Sequence, residues 1–123
     1  MRVFIVEDSE LIQEILAEEL TRIQGVELCG TAYNAQDAIR LILENKPDLV
    51  ILDIVLHNGN GFEVLKRIRD EGSLSIVMVL TNHAYPYYRL KSNELGAEYF
   101  FDKSIEFEEA LEAIRIMASR NYQ

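Results

Sequence analysis

The chain has 123 residues, of which 49% are hydrophobic and 27% charged, with six Gly and two Pro. This composition suits one globular domain with a buried core and excludes disorder or a collagen-like repeat. Twelve basic against twenty-one acidic side chains give a net charge of −9, which repels nucleic-acid phosphates and anionic membranes, so direct DNA binding by this domain is not expected. The single Cys29 cannot form an internal disulfide, and no secretory apolar segment opens the chain. No apolar run approaches the roughly 18 residues that a membrane span needs. A soluble protein in a reducing cytoplasm is expected.

Short apolar blocks alternate with stretches of helical period along the whole chain. Val3 to Val6 reads as a strand, and Ile12, Leu16 and Leu20 recur every fourth residue to predict a helix from about Ser9 to Ile23. Val26 to Ala32 predicts a second strand, Ala35 to Leu43 a second helix, and Leu49 to Leu52 a wholly apolar strand covered on both faces. Gly61 to Arg69 is helical, Ile76 to Leu80 another buried strand, and Tyr87 to Leu95 a fourth helix. Tyr99 to Phe101 forms a last strand before a helix from about Glu106 to Arg120. Asn45-Lys46-Pro47 stops the second helix, and Asn58-Gly59-Asn60-Gly61 marks the loop after the third strand. Strict strand–helix alternation implies parallel strands joined by right-handed crossovers, hence a doubly wound α/β domain over residues 1–123.

In such a sheet the ligand site lies beyond the carboxyl ends of the strands. There the sequence places Glu7 and Asp8 after the first strand, Asp53 after the third, Thr81 after the fourth and Lys103 beyond the fifth. Singly, each reads as a helix cap, a turn residue or a solvated charge. Capping does not explain the set. Carboxylates converging on one rim repel each other unless a divalent cation lies between them, and hard oxygen donors suit Mg²⁺. A metal beside a carboxylate, with an ammonium and a hydroxyl in reach, is the equipment of phosphoryl transfer, with Asp53 as the nucleophile.

These residues, together with Leu52-Asp53-Ile54-Val55-Leu56 followed by Gly61, and the Gly96-Ala97-Glu98 turn, resemble the receiver domains of two-component response regulators. The resemblance covers nearly the whole chain. It implies a flavodoxin-like five-stranded parallel sheet of order 2-1-3-4-5 with five helices. It further implies that Glu7 and Asp8 bind Mg²⁺ together with Asp53 and the Val55 carbonyl, and that Asp53 accepts a phosphoryl group from a histidine kinase or phosphotransfer protein. Thr81 corresponds to the switch hydroxyl, Lys103 to the invariant lysine and Phe100 to the aromatic switch position. Such a protein is a signalling switch, with catalysis limited to its own phosphorylation and dephosphorylation. Two positions depart from the pattern. His57 stands where many receivers have Pro. Ser104 stands where Pro usually follows the Lys, and because a non-Pro cis bond costs about 2.5–4 kcal/mol, a trans Lys103–Ser104 bond is expected. In the family the side chains at Val55 and His83 flank the path of the attacking water, so an apolar Val55 implies a long-lived acyl phosphate.

The alternative is a Mg²⁺-dependent phosphatase of the haloacid dehalogenase class, but that class needs a second Asp where Val55 stands. A nucleotide or flavin binder would need a Gly-rich phosphate loop, and none occurs. Leu11 and Ile15 either widen the core face of the first helix or form a docking patch for a kinase or phosphotransfer helix. Tyr85-Pro86-Tyr87-Tyr88 is read as a partner surface, His57 and His83 as loop residues, and Cys29 as a small buried hydrophobe. The last helix ends in Arg120-Asn121-Tyr122-Gln123 without an effector segment. A stand-alone regulator acting through protein contacts is expected, ahead of a piece of a longer protein.

Overall fold

A computed structural model describes residues 1–121; Tyr122 and Gln123, on which the expectation about the chain end rests, lie outside the described residues. The elements run β1 (Arg2–Val6), α1 (Glu10–Thr21), β2 (Glu27–Ala32), α2 (Ala35–Asn45), β3 (Leu49–Leu52), α3 (Gly61–Asp70), β4 (Ile76–Thr81), α4 (Pro86–Glu94), β5 (Tyr99–Asp102) and α5 (Phe107–Asn121). All strand pairs are parallel, in the order β2-β1-β3-β4-β5. This is the expected doubly wound, flavodoxin-like sheet with five helices.

Local chemistry sets the boundaries. Ser9, Asn34 and Asn60 accept from the backbone N–H of Ile12, Asp37 and Glu63 respectively, so three helices start at side-chain caps. Helix α1 stops at Thr21, two residues before the expected Ile23, because Arg22 takes the C-cap. Helix α2 runs on to Asn45, where Lys46 turns left-handed at φ 49° and Pro47 prevents continuation. Every peptide bond among the described residues is trans, including Lys103–Ser104.

Successive side chains of a strand point to opposite faces, and the sheet accordingly separates two cores. Val3, Ile5, Leu49, Ile51, Met78 and Leu80 pack against Leu16 and Leu20 of α1 and Ile114 and Met117 of α5. Phe4, Val6, Val50, Leu52, Val77 and Val79 pack on the other face against α2 and α3, with Ala38, Ile42, Val64, Leu65 and Ile68 among the buried partners. Strand β3 lies between two neighbours and between both cores, and all four of its residues are buried. Edge strand β2 leaves Cys29 only half-buried, a correction to the buried position expected of it.

Leu11 is 64% exposed and Ile15 42% exposed, so they do not widen the core. The widening option is overturned because the buried stripe of α1 runs instead through Gln13, Leu16 and Leu20. None of the helices among the described residues is long and apolar enough to cross a membrane.

Candidate functional site

Register brings the strand ends together. Val6 of β1 lies opposite Leu52 of β3, Leu52 opposite Val79 of β4, and Thr81 opposite Asp102 of β5. The residues one step farther on therefore share one rim: the Asp53 N–H donates to the Val6 carbonyl at 3.0 Å, and the Lys103 N–H to the Thr81 carbonyl at 2.8 Å. Ligand oxygens of Glu7, Asp8 and Asp53 lie within 4.8 Å of one another.

Lys103 bridges two of the three carboxylates, donating from Nζ to Glu7 Oε1 at 2.5 Å and to Asp53 Oδ2 at 3.1 Å. Glu7 is almost fully buried, and its second oxygen accepts from the Ser9 N–H at 3.0 Å. Asp53 is 8% exposed, and its Oδ1 accepts from the Ile54 N–H at 2.7 Å. Burial pushes the Asp53 carboxyl above the ordinary range; Lys103 opposes this and the neighbouring Glu7 charge adds to it. Burial alone would lower the Lys103 ammonium, but Asp53 and Glu7 more than compensate and hold it raised. Asp8 is more open, and its nearest cationic candidate is the exposed His57, with Nδ1 3.8 Å from Asp8 Oδ2.

One ammonium among three clustered carboxylates leaves an excess of negative charge, and hard oxygens at this spacing fit a small divalent cation such as Mg²⁺. The loop that would offer the Val55 carbonyl is closed by an antiparallel bridge between Val55 and Asn60. Helix α3 then starts hard against the site: a Cβ on Gly61 would lie 2.4 Å from the Asp53 carbonyl oxygen, which only Gly avoids. The Val55 side chain is 43% exposed. Thr81 is fully buried at the other side, its hydroxyl accepting from the His83 N–H at 3.1 Å. Asp102, also beside Lys103, turns away: its carboxylate accepts from the Ser104 N–H and hydroxyl, which hold it below the usual range.

Phe100 lies at the β5–α4 boundary, packed on the edge of the α2/α3 core with the Arg89 guanidinium over its ring. Tyr85 and Tyr87 are exposed, whereas Tyr88 packs edge-on to Phe62 with centroids 5.3 Å apart. Burial also raises the Cys29 thiol, as expected of an unreactive cysteine.

Sequence reasoning passed over Gln13. Buried on α1, it donates from Nε2 to the carbonyls of Glu7 and Ala32, both at 2.9 Å, and so fixes the main chain that carries the acidic pair. Its only signal was its place in the buried register, three residues before Leu16 and seven before Leu20.

Residues 3–115 match the response regulator receiver domain family. The chain is 35% identical over 116 residues to the transcriptional regulatory protein DltR of Streptococcus agalactiae, covering 94% of this chain and 51% of that one. It is 30% identical over 115 residues to the sensory transduction protein LytT of Bacillus anthracis, covering 94% of this chain and 46% of the relative. The chain thus spans about half the length of these curated relatives. Among solved structures it resembles a LuxR-family DNA-binding response regulator from Staphylococcus aureus, with TM-score 0.86 and 27% identity over 95% of this chain and 98% of that one. A LuxR-family two-component response regulator from Aurantimonas is similar at TM-score 0.88 and 28% identity, over 96% and 84% of the two chains.

Proposed function

The chain belongs to the response regulator receiver domain family, and on that premise we propose that residues 1–123 act as one phosphorylation-controlled switch with Asp53 as phosphoacceptor. The observation that carries this reading is the nearly buried Asp53 carboxylate, 3.1 Å from Lys103 and clustered with Glu7 and Asp8. Glu7, Asp8, Asp53 and the Val55 carbonyl would hold Mg²⁺. When bound, the ion would screen the attacking carboxylate from the phosphoryl oxygens and stabilise the charge they carry in transfer.

A carboxylate oxygen of Asp53 attacks the phosphorus of a phosphohistidine; the P–N bond breaks and its electron pair leaves with the imidazole. Lys103, already at Asp53, and the Thr81 hydroxyl donate to the phosphoryl oxygens. Water later attacks phosphorus, and the P–O bond to Asp53 breaks to restore the carboxylate and release phosphate. Thr81 moves inward on phosphorylation, and Phe100 turns into the space it vacates. Leu11 and Ile15, exposed at the start of α1, serve as a docking patch for the donor kinase or phosphotransfer helix. The Tyr85–Tyr88 segment meets a downstream partner or effector segment. A cytoplasmic setting follows from this reading. The haloacid dehalogenase alternative has no support among the relatives, and Val55 stands where its second acid is required.

Acetyl phosphate with Mg²⁺ should add one phosphoryl group by mass, and Asp53→Asn should abolish it; equal labelling of that variant sinks the assignment. The acyl phosphate is expected to be long-lived, because Val55 can neither accept a proton nor orient water. Val55→Asn, whose amide can hydrogen-bond and orient a water, should dephosphorylate faster than the parent. A large slowing in His83→Ala would assign water positioning to the histidine instead.

A further inference from the structure

We propose that Arg89 is a positioning residue that clasps Phe100 from α4 and biases the switch toward the arrangement seen here. The inference rests on the reading above, because it concerns how readily Phe100 responds to events at Asp53. The Arg89 Cζ lies 4.6 Å from the Phe100 ring centroid, and Nη1 donates to the Phe100 carbonyl at 3.2 Å. Nη2 lies 3.7 Å from Glu106 Oε1, and that same oxygen accepts from the Asp102 N–H at 2.9 Å. One guanidinium therefore ties α4 to the ring and main chain of β5 and to the turn that leads into α5.

The planar guanidinium makes this possible. It covers an aromatic face while its in-plane N–H groups reach a carbonyl and a carboxylate, whereas an ammonium on a flexible stem serves as a point charge. The contact also has little competition, since Ser92 is the one buried residue of α4 and the helix has no side-chain N-cap. Turning the Phe100 ring inward removes the cation–π contact, so what that contact contributes is withheld from the switched state. Arg89 and Glu106 are partly exposed, which sets the strength at the lower end for such contacts. A bias follows rather than a lock.

The experiment follows Phe100 ring rotamers by NMR in the phosphate-free protein and titrates each variant with beryllofluoride and Mg²⁺. Arg89→Ala should move the free-protein rotamer population toward the position the parent adopts when saturated. It should also lower the half-saturating beryllofluoride concentration about two- to five-fold. Arg89→Lys should recover part of the effect, and it carries the comparison if the alanine variant fails to fold. Glu106→Gln, which keeps an acceptor for the Asp102 N–H, should shift the population less than Arg89→Ala. Raising ionic strength should move the parent but not Arg89→Ala, a dependence that a merely structural role would not produce. Unchanged Phe100 rotamers in Arg89→Ala overturn the clasp. A parent that never responds to beryllofluoride overturns the phosphoacceptor reading instead, and the free-protein rotamers then decide the clasp alone.

Discussion

Helices α3 and α4 follow each other on the same face of the sheet and are held in opposite ways. Helix α3 buries Gly61, Val64, Leu65 and Ile68, starts at the Asn60 side-chain cap and abuts the Asp53 main chain. Helix α4 buries only Ser92, whose hydroxyl has no hydrogen-bond partner among the described residues, and starts at Tyr85 without a side-chain cap. What secures α4 lies on its flanks: Tyr88 edge-on to Phe62, the Lys91 ammonium 4.7 Å from the Phe62 ring centroid, and Arg89 over Phe100. The helix next to the acceptor is thus welded to the core, and the helix next to Thr81 and Phe100 is attached by contacts that can be exchanged. A repacking that starts at Thr81 meets the weakly held element first.

Paired truncation should separate the two helices most widely. Leu65→Ala should cost about 2–5 kcal/mol of unfolding free energy, as for other buried leucines. Leu90→Ala, at an exposed position of α4, should stay within about 0.5 kcal/mol. Denaturant melts measure both, and amide exchange should be faster along α4 than along α3. Equal protection of the two helices would erase the contrast.

A smaller effect is expected at Arg69, where the two helices' far ends meet. Its guanidinium donates to the carbonyls of Ser73, Ser75 and Gly96 at 3.0, 2.7 and 2.8 Å and pairs with Glu98 at 2.9 Å. Glu98 in turn accepts from the Val77 N–H at 2.9 Å. Arg69→Ala should cost about 2 kcal/mol and speed exchange in the Gly96–Glu98 turn. A cost below about 0.5 kcal/mol would mean that α4 is anchored by its flanks alone.

The smallest effect is expected at the acceptor itself, on the firmly packed side of the molecule. Because the folded pKa of Asp53 is raised, the native state holds its proton to higher pH than the unfolded chain. Stability is therefore gained as pH falls through that range and lost as pH rises through the folded pKa. In metal-free buffer Asp53→Asn should melt higher than the parent at neutral pH, and the gain should vanish below the ordinary carboxylate pKa. Thermal melts across acidic to neutral pH test the sign; a variant that melts lower at neutral pH would show that the Lys103 pair outweighs the burial cost.

Much of this was legible because the signals were local. Four consecutive branched or apolar residues made β3 unmistakable, and Asn58-Gly59-Asn60-Gly61 announced the loop after it, though not the Asn60 cap or the close approach of Gly61 to Asp53. The convergence of Glu7, Asp8, Asp53, Thr81 and Lys103 followed from strand ends alone, since parallel register puts all such ends on one rim. Contacts that depend on side-chain reach were not legible. The two open readings of Leu11 and Ile15 needed the rotation of α1, which period alone leaves uncertain by a residue. Gln13 carried only its place in the buried register of α1, and its carbonyl partners lie 6 and 19 residues away. Arg69 and Arg89 lie on helices whose pattern says only that they are outside the core; their partners are 27 residues away at Gly96 and 11 away at Phe100.

Strand β3 works as a ruler, and this limits how the sequence can change over time. Leu49 and Ile51 serve one core, and Val50 and Leu52 the other. Inserting or deleting one residue would send every β3 side chain to the wrong core. Inserting two would restore the facing but lift Asp53 by about 6.6 Å, farther than the 4.8 Å that spans the carboxylate cluster. Insertions and deletions in this segment are therefore barred by two independent requirements, one of packing and one of reach. Descendants of this sequence can explore β3 by substitution alone, while the loops at the opposite end of the sheet stay free to lengthen.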